Sequence, residues 1–271
     1  MMLLVDAGNS RIKLGWRVAG QARAADVITL PHAELEQLPA RMAAWPSAQA
    51  GQRRRALGVN VAGDALGGRL QALLDQAGYM LEWIRPAPAL LGLRNGYDTP
   101  TQLGPDRWMG MLGIWAAMPA PRPPLLLATF GTATTLDSTS PDDVFRGGLI
   151  LPGPSLMRAS LTQGTANLPL ADGTLQDFPS NTHDAISTGV AAAQAGAVLR
   201  QWLRAWETFG QAPVLHVSGG GWPDVEAQTQ TLLDQLTRHL GLPAVVPRWV
   251  PNPVLDGLAA LAAATEAAEG A

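Results

Sequence analysis

The sequence predicts an α/β protein built from two similarly organised halves, and three observations carry that expectation. An apolar run, Met2 to Val5, ends on Asp6, passes through Ala7-Gly8-Asn9-Ser10 and re-emerges as an alternating segment, Ile12 to Arg17. The same order of strand, glycine turn and strand begins again at Leu125 to Ala128, with Gly131-Thr132 at the turn. Between them, Ala120-Pro121-Arg122-Pro123-Pro124 cannot continue a helix and marks a boundary. Two domains are therefore expected, 1–119 and 120–271.

In the first half, Ile12, Leu14 and Trp16 alternate with Lys13, Gly15 and Arg17, the period of a half-buried strand. Gly8 and Asn9 tolerate positive φ, so the connection reads as a hairpin turn that offers backbone N–H groups to a ligand. A third strand is expected over Ala25 to Leu30, then a helix over Ala33 to Trp45 and a strand over Ala56 to Val61. Leu66, Leu70, Leu73 and Leu74 share one helical face, and Leu81 to Ile84 supplies a fifth strand. Pro86 to Pro105 is a long irregular connection of the kind that often carries function, and Asp106 to Met118 is helical. In the second half, Val144 to Leu151 is extended and closed by Pro152-Gly153-Pro154. Asp184 to Trp206 is one long helix, Val214 to Val217 a buried strand, and Asp224 to Leu240 and Val254 to Ala268 are helices.

Composition narrows the function. The chain of 271 residues has 19 basic and 22 acidic side chains, a net charge of −3, with 47% apolar residues. That balance is globular and gives no general attraction for nucleic acid or anionic lipid. With no cysteine there is no disulfide, thiolate metal site or Cys nucleophile. No segment approaches the roughly 18 apolar residues of a membrane span. The motif at Asp6 begins too early to leave room for a signal peptide, so a cytoplasmic protein is expected. Lys13 is the single lysine among 18 arginines. Four scattered histidines lack ligand spacing, and there is no P-loop, no G-x-G-x-x-G after a first strand and no G-x-S-x-G elbow.

What remains points to phosphate chemistry. A strand that delivers Asp6 to a tight turn suits a metal-assisted phosphate site, with Asp6 near Mg²⁺ and the turn N–H groups and Ser10 hydroxyl near phosphate oxygens. One such turn is usually only a hairpin, but a second at Gly131-Thr132 makes a two-jawed cleft the better expectation. Leu103-Gly104-Pro105-Asp106-Arg107-Trp108 places an acid beside a base at the start of a helix. Asp106 there is a good N-terminal helix residue; equally, its carboxylate can take a proton from a substrate hydroxyl while Arg107 pairs with a substrate carboxylate. Trp222, just after a glycine triplet, is a candidate ligand-stacking ring, and Arg53-Arg54-Arg55 reads as a solvated charge run.

Several motifs together closely resemble type III pantothenate kinases: Asp6-Ala7-Gly8-Asn9-Ser10-Arg11-Ile12-Lys13, Tyr97-x-x-Pro100-x-x-Leu103-Gly104-Pro105-Asp106-Arg107, Gly131-Thr132-Ala133-Thr134-Thr135-Leu136-Asp137 and Gly147-Gly148-x-Ile150-x-Pro152-Gly153. The resemblance continues through Ser218-Gly219-Gly220 and Asn252-Pro253-Val254-Leu255-Asp256-Gly257-Leu258. It implies two ribonuclease-H-like domains of the actin-like ATPase kind, with mixed sheets flanked by helices and ATP in the cleft between them. The implied activity is ATP-dependent phosphorylation of pantothenate, the first step of coenzyme A synthesis.

Carried over motif by motif, residues 6 to 13 form the first phosphate loop, with Asp6 at Mg²⁺, and Gly131 and Thr132 form the second. Asp106 acts as general base, Tyr97, Gly104, Pro105, Asp106 and Arg107 bind pantothenate, and Ser218, Gly219 and Gly220 lie near adenosine. Thr182 reaches the pantothenate pocket from the partner subunit of a homodimer. The family commonly has an Asp two residues before the Gly-Thr turn, where it helps hold potassium or ammonium; this chain has Thr129, a neutral hydroxyl. Two alternatives stand beside this function: a related kinase acting on another small hydroxyl substrate, and a non-catalytic nucleotide-binding accessory protein.

Overall fold

The computed structural model describes residues 1–43, 45 and 54–269, and the chain divides into two units, Met1–Pro119 with Asn252–Ala271, and Ala120–Pro251. Arg53 of the arginine run lies outside the described residues; Arg54 stacks on Tyr79 and Arg55 pairs with Glu269 at 2.7 Å.

The first unit opens with β1 (Met2–Ala7), β2 (Arg11–Arg17) and β3 (Ile28–Pro31). The helix expected over 33 to 45 is instead a 3₁₀ stretch, His32–Gln37, followed by a short α1 (Leu38–Met42). Pro39 at the start of α1 explains the break, since proline is tolerated only in a helix's first turn. Then come β4 (Arg54–Asn60), α2 (Asp64–Gln76) and β5 (Tyr79–Trp83). The irregular connection holds a small hairpin, β6 (Ala89–Leu90) and β7 (Leu93–Asn95), before α3 (Pro105–Ala116). The five-stranded sheet of this unit runs β3-β2-β1-β4-β5, with β1 antiparallel to β2 and parallel to β4. Leu3, Val5, Ala7, Ile12, Leu14, Leu70 and Leu74 form its dry core.

The second unit repeats the plan with β8 (Leu125–Phe130), β9 (Ala133–Ser140) and β10 (Val144–Pro152), then α4 (Pro154–Gly164) and α5 (Thr182–Phe209). It closes with β11 (Val214–Ser218), α6 (Glu226–His239) and β12 (Arg248–Trp249). These strands run β10-β9-β8-β11-β12, the order of the first unit element for element. Leu126, Ala128, Phe130, Leu136, Val198, Trp202 and Val217 pack between the sheet and its helices.

The last helix, α7 (Pro253–Glu269), corrects the expected end of the second domain, because it packs on the first unit. Glycines permit this close crossing of α3 and α7. A Cβ at Gly113 would stand 2.2 Å from the Pro253 carbonyl oxygen, and one at Gly257 only 2.0 Å from that of Met109. Arg17–Glu266 and Arg23–Asp256 ion pairs, at 2.8 and 2.7 Å, fasten α7 to the β2 side of the unit.

Candidate active site

In the first unit the chain's one lysine faces an aspartate. Asp6 lies one residue from the end of β1 and is paired across the antiparallel ladder with Lys13 of β2. Residues directly opposite in such a pair share a face of the sheet, so the two side chains stand side by side. The turn between them is closed by the Gly8 N–H donating to the Arg11 carbonyl at 3.1 Å, and the His32 ring nitrogen Nε2 lies 2.8 Å from the Gly8 carbonyl oxygen. Asn9, Ser10 and Arg11 are exposed, whereas Ala7 and Ile12 are fully buried in the core. Ala7 and Ile12 therefore have only their backbone to offer a ligand, a distinction invisible in the motif.

The second constellation stands at the start of α3. Gly104 precedes the helix, Pro105 fills its first position, and the Arg107 N–H donates to Asp106 Oδ1 at 2.8 Å. A Cβ on Gly104 would come within 2.7 Å of that same oxygen, so the glycine leaves the carboxylate its place. Arg107, 8% exposed, donates through Nη1 to the Tyr97 hydroxyl at 2.7 Å, and its guanidinium lies over the Tyr97 ring. Asn95 accepts from the Tyr97 N–H at 3.1 Å and donates to the Pro100 carbonyl at 3.2 Å, fixing the loop that carries the pair. Sequence reasoning missed Asn95; an Asn two residues ahead of the motif's tyrosine was the available signal.

Asp6 senses the charge of Asp106. Burial pushes the Asp6 carboxyl up to about 6; Lys13 opposes the rise and the charge of Asp106 adds to it. Burial likewise raises Asp106, opposed first by the Arg107 N–H and then by its charge. Two carboxylates with raised affinities for protons, close to one lysine and one arginine, make a place where a proton or a cation is gained readily. Among the described residues no cluster of three metal-ligating side chains exists. A divalent ion such as Mg²⁺ nevertheless takes only one or two carboxylates when substrate phosphates supply the rest, and Asp6 fits that role.

The second unit's turn is neutral and built from backbone. The Gly131 N–H donates to Ala133 at 3.0 Å, Gly153 to Thr132 at 2.8 Å and Gly221 to Phe130 at 2.9 Å. A Cβ on Gly153 would meet the Gly131 carbonyl at 2.1 Å, and Gly219, at φ +94°, would place one 2.4 Å from that of Phe130. Gly131, Gly153, Gly219 and Gly221 thus interlock at the ends of β8, β10 and β11, beside the start of α4. Trp222 is not a ligand ring: it is 5% exposed and packs against Phe130. Thr182 belongs to this unit, at the start of α5, lining an apolar cavity of about 760 Å³ with Met157, Leu161 and Ile186. Tyr97, Gly104, Pro105, Asp106 and Arg107 are thus brought together in one unit, and Thr182 lies in the other.

Comparison with known proteins decides the family. A family profile described as type III pantothenate kinase matches residues 2–204. The chain is 49% identical over 266 residues to the type III pantothenate kinase of Bordetella bronchiseptica, covering 97% of this chain and 98% of that protein. The chain belongs to the type III pantothenate kinase family. Similar relatives of the same name occur in Bordetella petrii, at 50% identity over 97% of both chains, and in an Azoarcus species, at 43% over 98% and 92%. Type III pantothenate kinases transfer phosphate from ATP to an alcohol of pantothenate in coenzyme A biosynthesis. Among solved structures, a Campylobacter jejuni protein assigned to the Baf family of transcriptional activators superposes with TM-score 0.55 at 19% identity, over 98% and 99% of the two chains. A Sinorhizobium meliloti protein assigned as a 2-dehydro-3-deoxygalactonokinase gives 0.52 at 15%, over 99% of each. At these identities the likeness shows the fold alone.

Proposed function

We propose that Asp106 is the general base of pantothenate phosphorylation, and that the reading is carried by one observation: a half-buried carboxylate with raised proton affinity at a helix start, beside Arg107 and within electrostatic reach of Asp6. The substrate's primary hydroxyl gives its proton to Asp106 as its oxygen bonds to the γ-phosphorus. The bond from that phosphorus to the bridging oxygen breaks, and ADP leaves. Such transfers need alignment and charge neutralisation more than covalent chemistry. Arg107, held on Tyr97, orients the substrate's carboxylate, and Gly104 and Pro105 shape the wall behind it.

The turn from Asp6 to Lys13 receives phosphate, through backbone at Ala7, Gly8 and Ile12 and through side chains at Asn9, Ser10, Arg11 and Lys13. Gly131 and Thr132 take phosphate oxygens in the second unit. Asp6 would hold Mg²⁺, which when bound supplies positive charge to the phosphates. A monovalent cation fits less well. Thr129 is paired with Thr135 on one side and Ser218 on the other, a row of three neutral hydroxyls, so potassium or ammonium would find no carboxylate there.

The enzyme acts in the cytoplasm as a homodimer in which Thr182 serves the partner's pantothenate site. Phe178 at 95% exposure and Leu170 at 65%, near the apolar cavity that Thr182 lines, support such a contact. The test is ADP release from the full chain with and without pantothenate. A rise specific to pantothenate is expected; a rise only with another acceptor would change the substrate, and no rise with any acceptor would remove catalysis.

A further inference from the structure

Eight of the nine tryptophans are buried or packed against a core cluster; Trp249, 52% exposed, is the exception among the described residues. It ends β12, the edge strand of the second unit. Its backbone is fixed by the Val217–Trp249 register and by the Val250 N–H donating to the Val217 carbonyl at 2.9 Å. Strands β8, β11 and β12 run parallel, so their carboxyl ends open on one side, where open α/β sheets take ligands. Across that side, in order, stand the Gly131–Thr132 turn after β8, the Ser218–Gly221 turn after β11, and Trp249. The middle turn is a low ledge: Gly219 at φ +94° and the Gly221 N–H bond to Phe130 fold it back onto the end of β8 without a side chain in the way. Adjacent strands lie ~4.8 Å apart, which puts the Trp249 backbone ~10 Å across the sheet from the β8 end.

We propose that Trp249 stacks on the adenine of ATP and sets the enzyme's affinity for the nucleotide. The inference rests on the reading that ATP phosphates occupy the Gly131–Thr132 turn; a nucleotide laid from that turn across the glycine ledge brings its base to the exposed indole. No polar group of a base is needed for such stacking, because the ring face alone suffices.

The experiment uses the full chain with Trp249→Ala and Trp249→Phe. With Ala, the KM for ATP is expected to rise about tenfold, ~1.4 kcal/mol, while kcat and the pantothenate KM stay within about twofold; Phe restores most of the affinity. Inorganic tripolyphosphate, which carries no base, serves as a competing probe, and its inhibition constant is expected to be the same in wild type and Ala variant. An unchanged KM for ATP, or an equal loss of tripolyphosphate binding, would overturn the stacking. The two readings fail separately. If wild type phosphorylates pantothenate and the Ala variant keeps its KM, only the stacking falls. If wild type binds ATP by calorimetry without phosphorylating pantothenate, the kinase role falls and Trp249 is judged from the dissociation constant. If it binds no ATP, both fall.

Discussion

Asp6 and Thr129 occupy the same place in two copies of one strand order, each two residues before the turn glycine that ends a central strand. Around them the two units diverge. Asp6 is flanked by Lys13 and Val59, with Asp106 and its raised carboxyl within electrostatic reach; Thr129 is flanked by Thr135 and Ser218. The first unit's turn leads into charge, while the second's leads into interlocked glycines. A single backbone plan has been filled twice, once with charged side chains and once with neutral hydroxyls and glycines. Under the proposed mechanism, grip on phosphate belongs to both copies and the chemistry to one.

The sharpest way to break that division is to neutralise its charged side. Asp6→Asn is expected to cut turnover by roughly 10²-fold, the scale of losing one electrostatic group at developing charge. The same change should stabilise the free protein. A carboxyl raised to about 6 contributes stability at low pH, below its unfolded value of 3.8, and loses that contribution as pH rises through 6, so ionised Asp6 is a burden at neutral pH. Thermal unfolding at pH 7.5 should show the Asn variant more stable by ~1–3 kcal/mol; a less stable variant would contradict the raised carboxyl of Asp6.

On the neutral side, Gly153→Ala or Gly219→Ala forces a Cβ into a carbonyl oxygen. Each should destabilise the second unit by ~2 kcal/mol or more and weaken ATP without altering pantothenate affinity, as denaturation and steady-state kinetics would read. Next in size is the pH profile. kcat/KM is expected to fall as pH drops through about 6, where Asp6 takes up its proton, and Asp6→Asn should remove that limb. Smallest is the response to potassium or ammonium at fixed ionic strength, expected to stay within about twofold because Thr129 supplies no charge. A strong dependence would mean that backbone carbonyls build the site instead.

Much of this plan was legible in the sequence. The first strand–turn–strand opening, the apolar β8 that leads to the Gly131-Thr132 turn, the proline break and the helix after Gly104-Pro105 need only local pattern. What was not legible depended on distant contacts or on polar strands. β9, Ala-Thr-Thr-Leu-Asp-Ser-Thr-Ser, carries no apolar alternation, yet Asp137, Ser138, Thr139 and Ser140 are all buried in a full ladder between β8 and β10. Pro152-Gly153-Pro154 reads as a stop, but Pro154 is the first residue of α4, where proline is favoured. The return of α7 to the first unit rests on Gly113 and Gly257 meeting across 144 residues, which no local window contains. Among the site residues, motif order located Asp6 and Asp106, but the paired register of Lys13, the support of Tyr97 by Asn95 and the burial of Trp222 required the fold.

The most direct measurement compares ATP binding with phosphoryl transfer in Asp106→Asn. Calorimetry should give an ATP dissociation constant within about twofold of wild type, while pantothenate-dependent ADP release falls by 10²-fold or more. Turnover near that of wild type, or a loss of ATP binding as large as the loss of turnover, would contradict a base housed in the first unit and separable from the nucleotide grip.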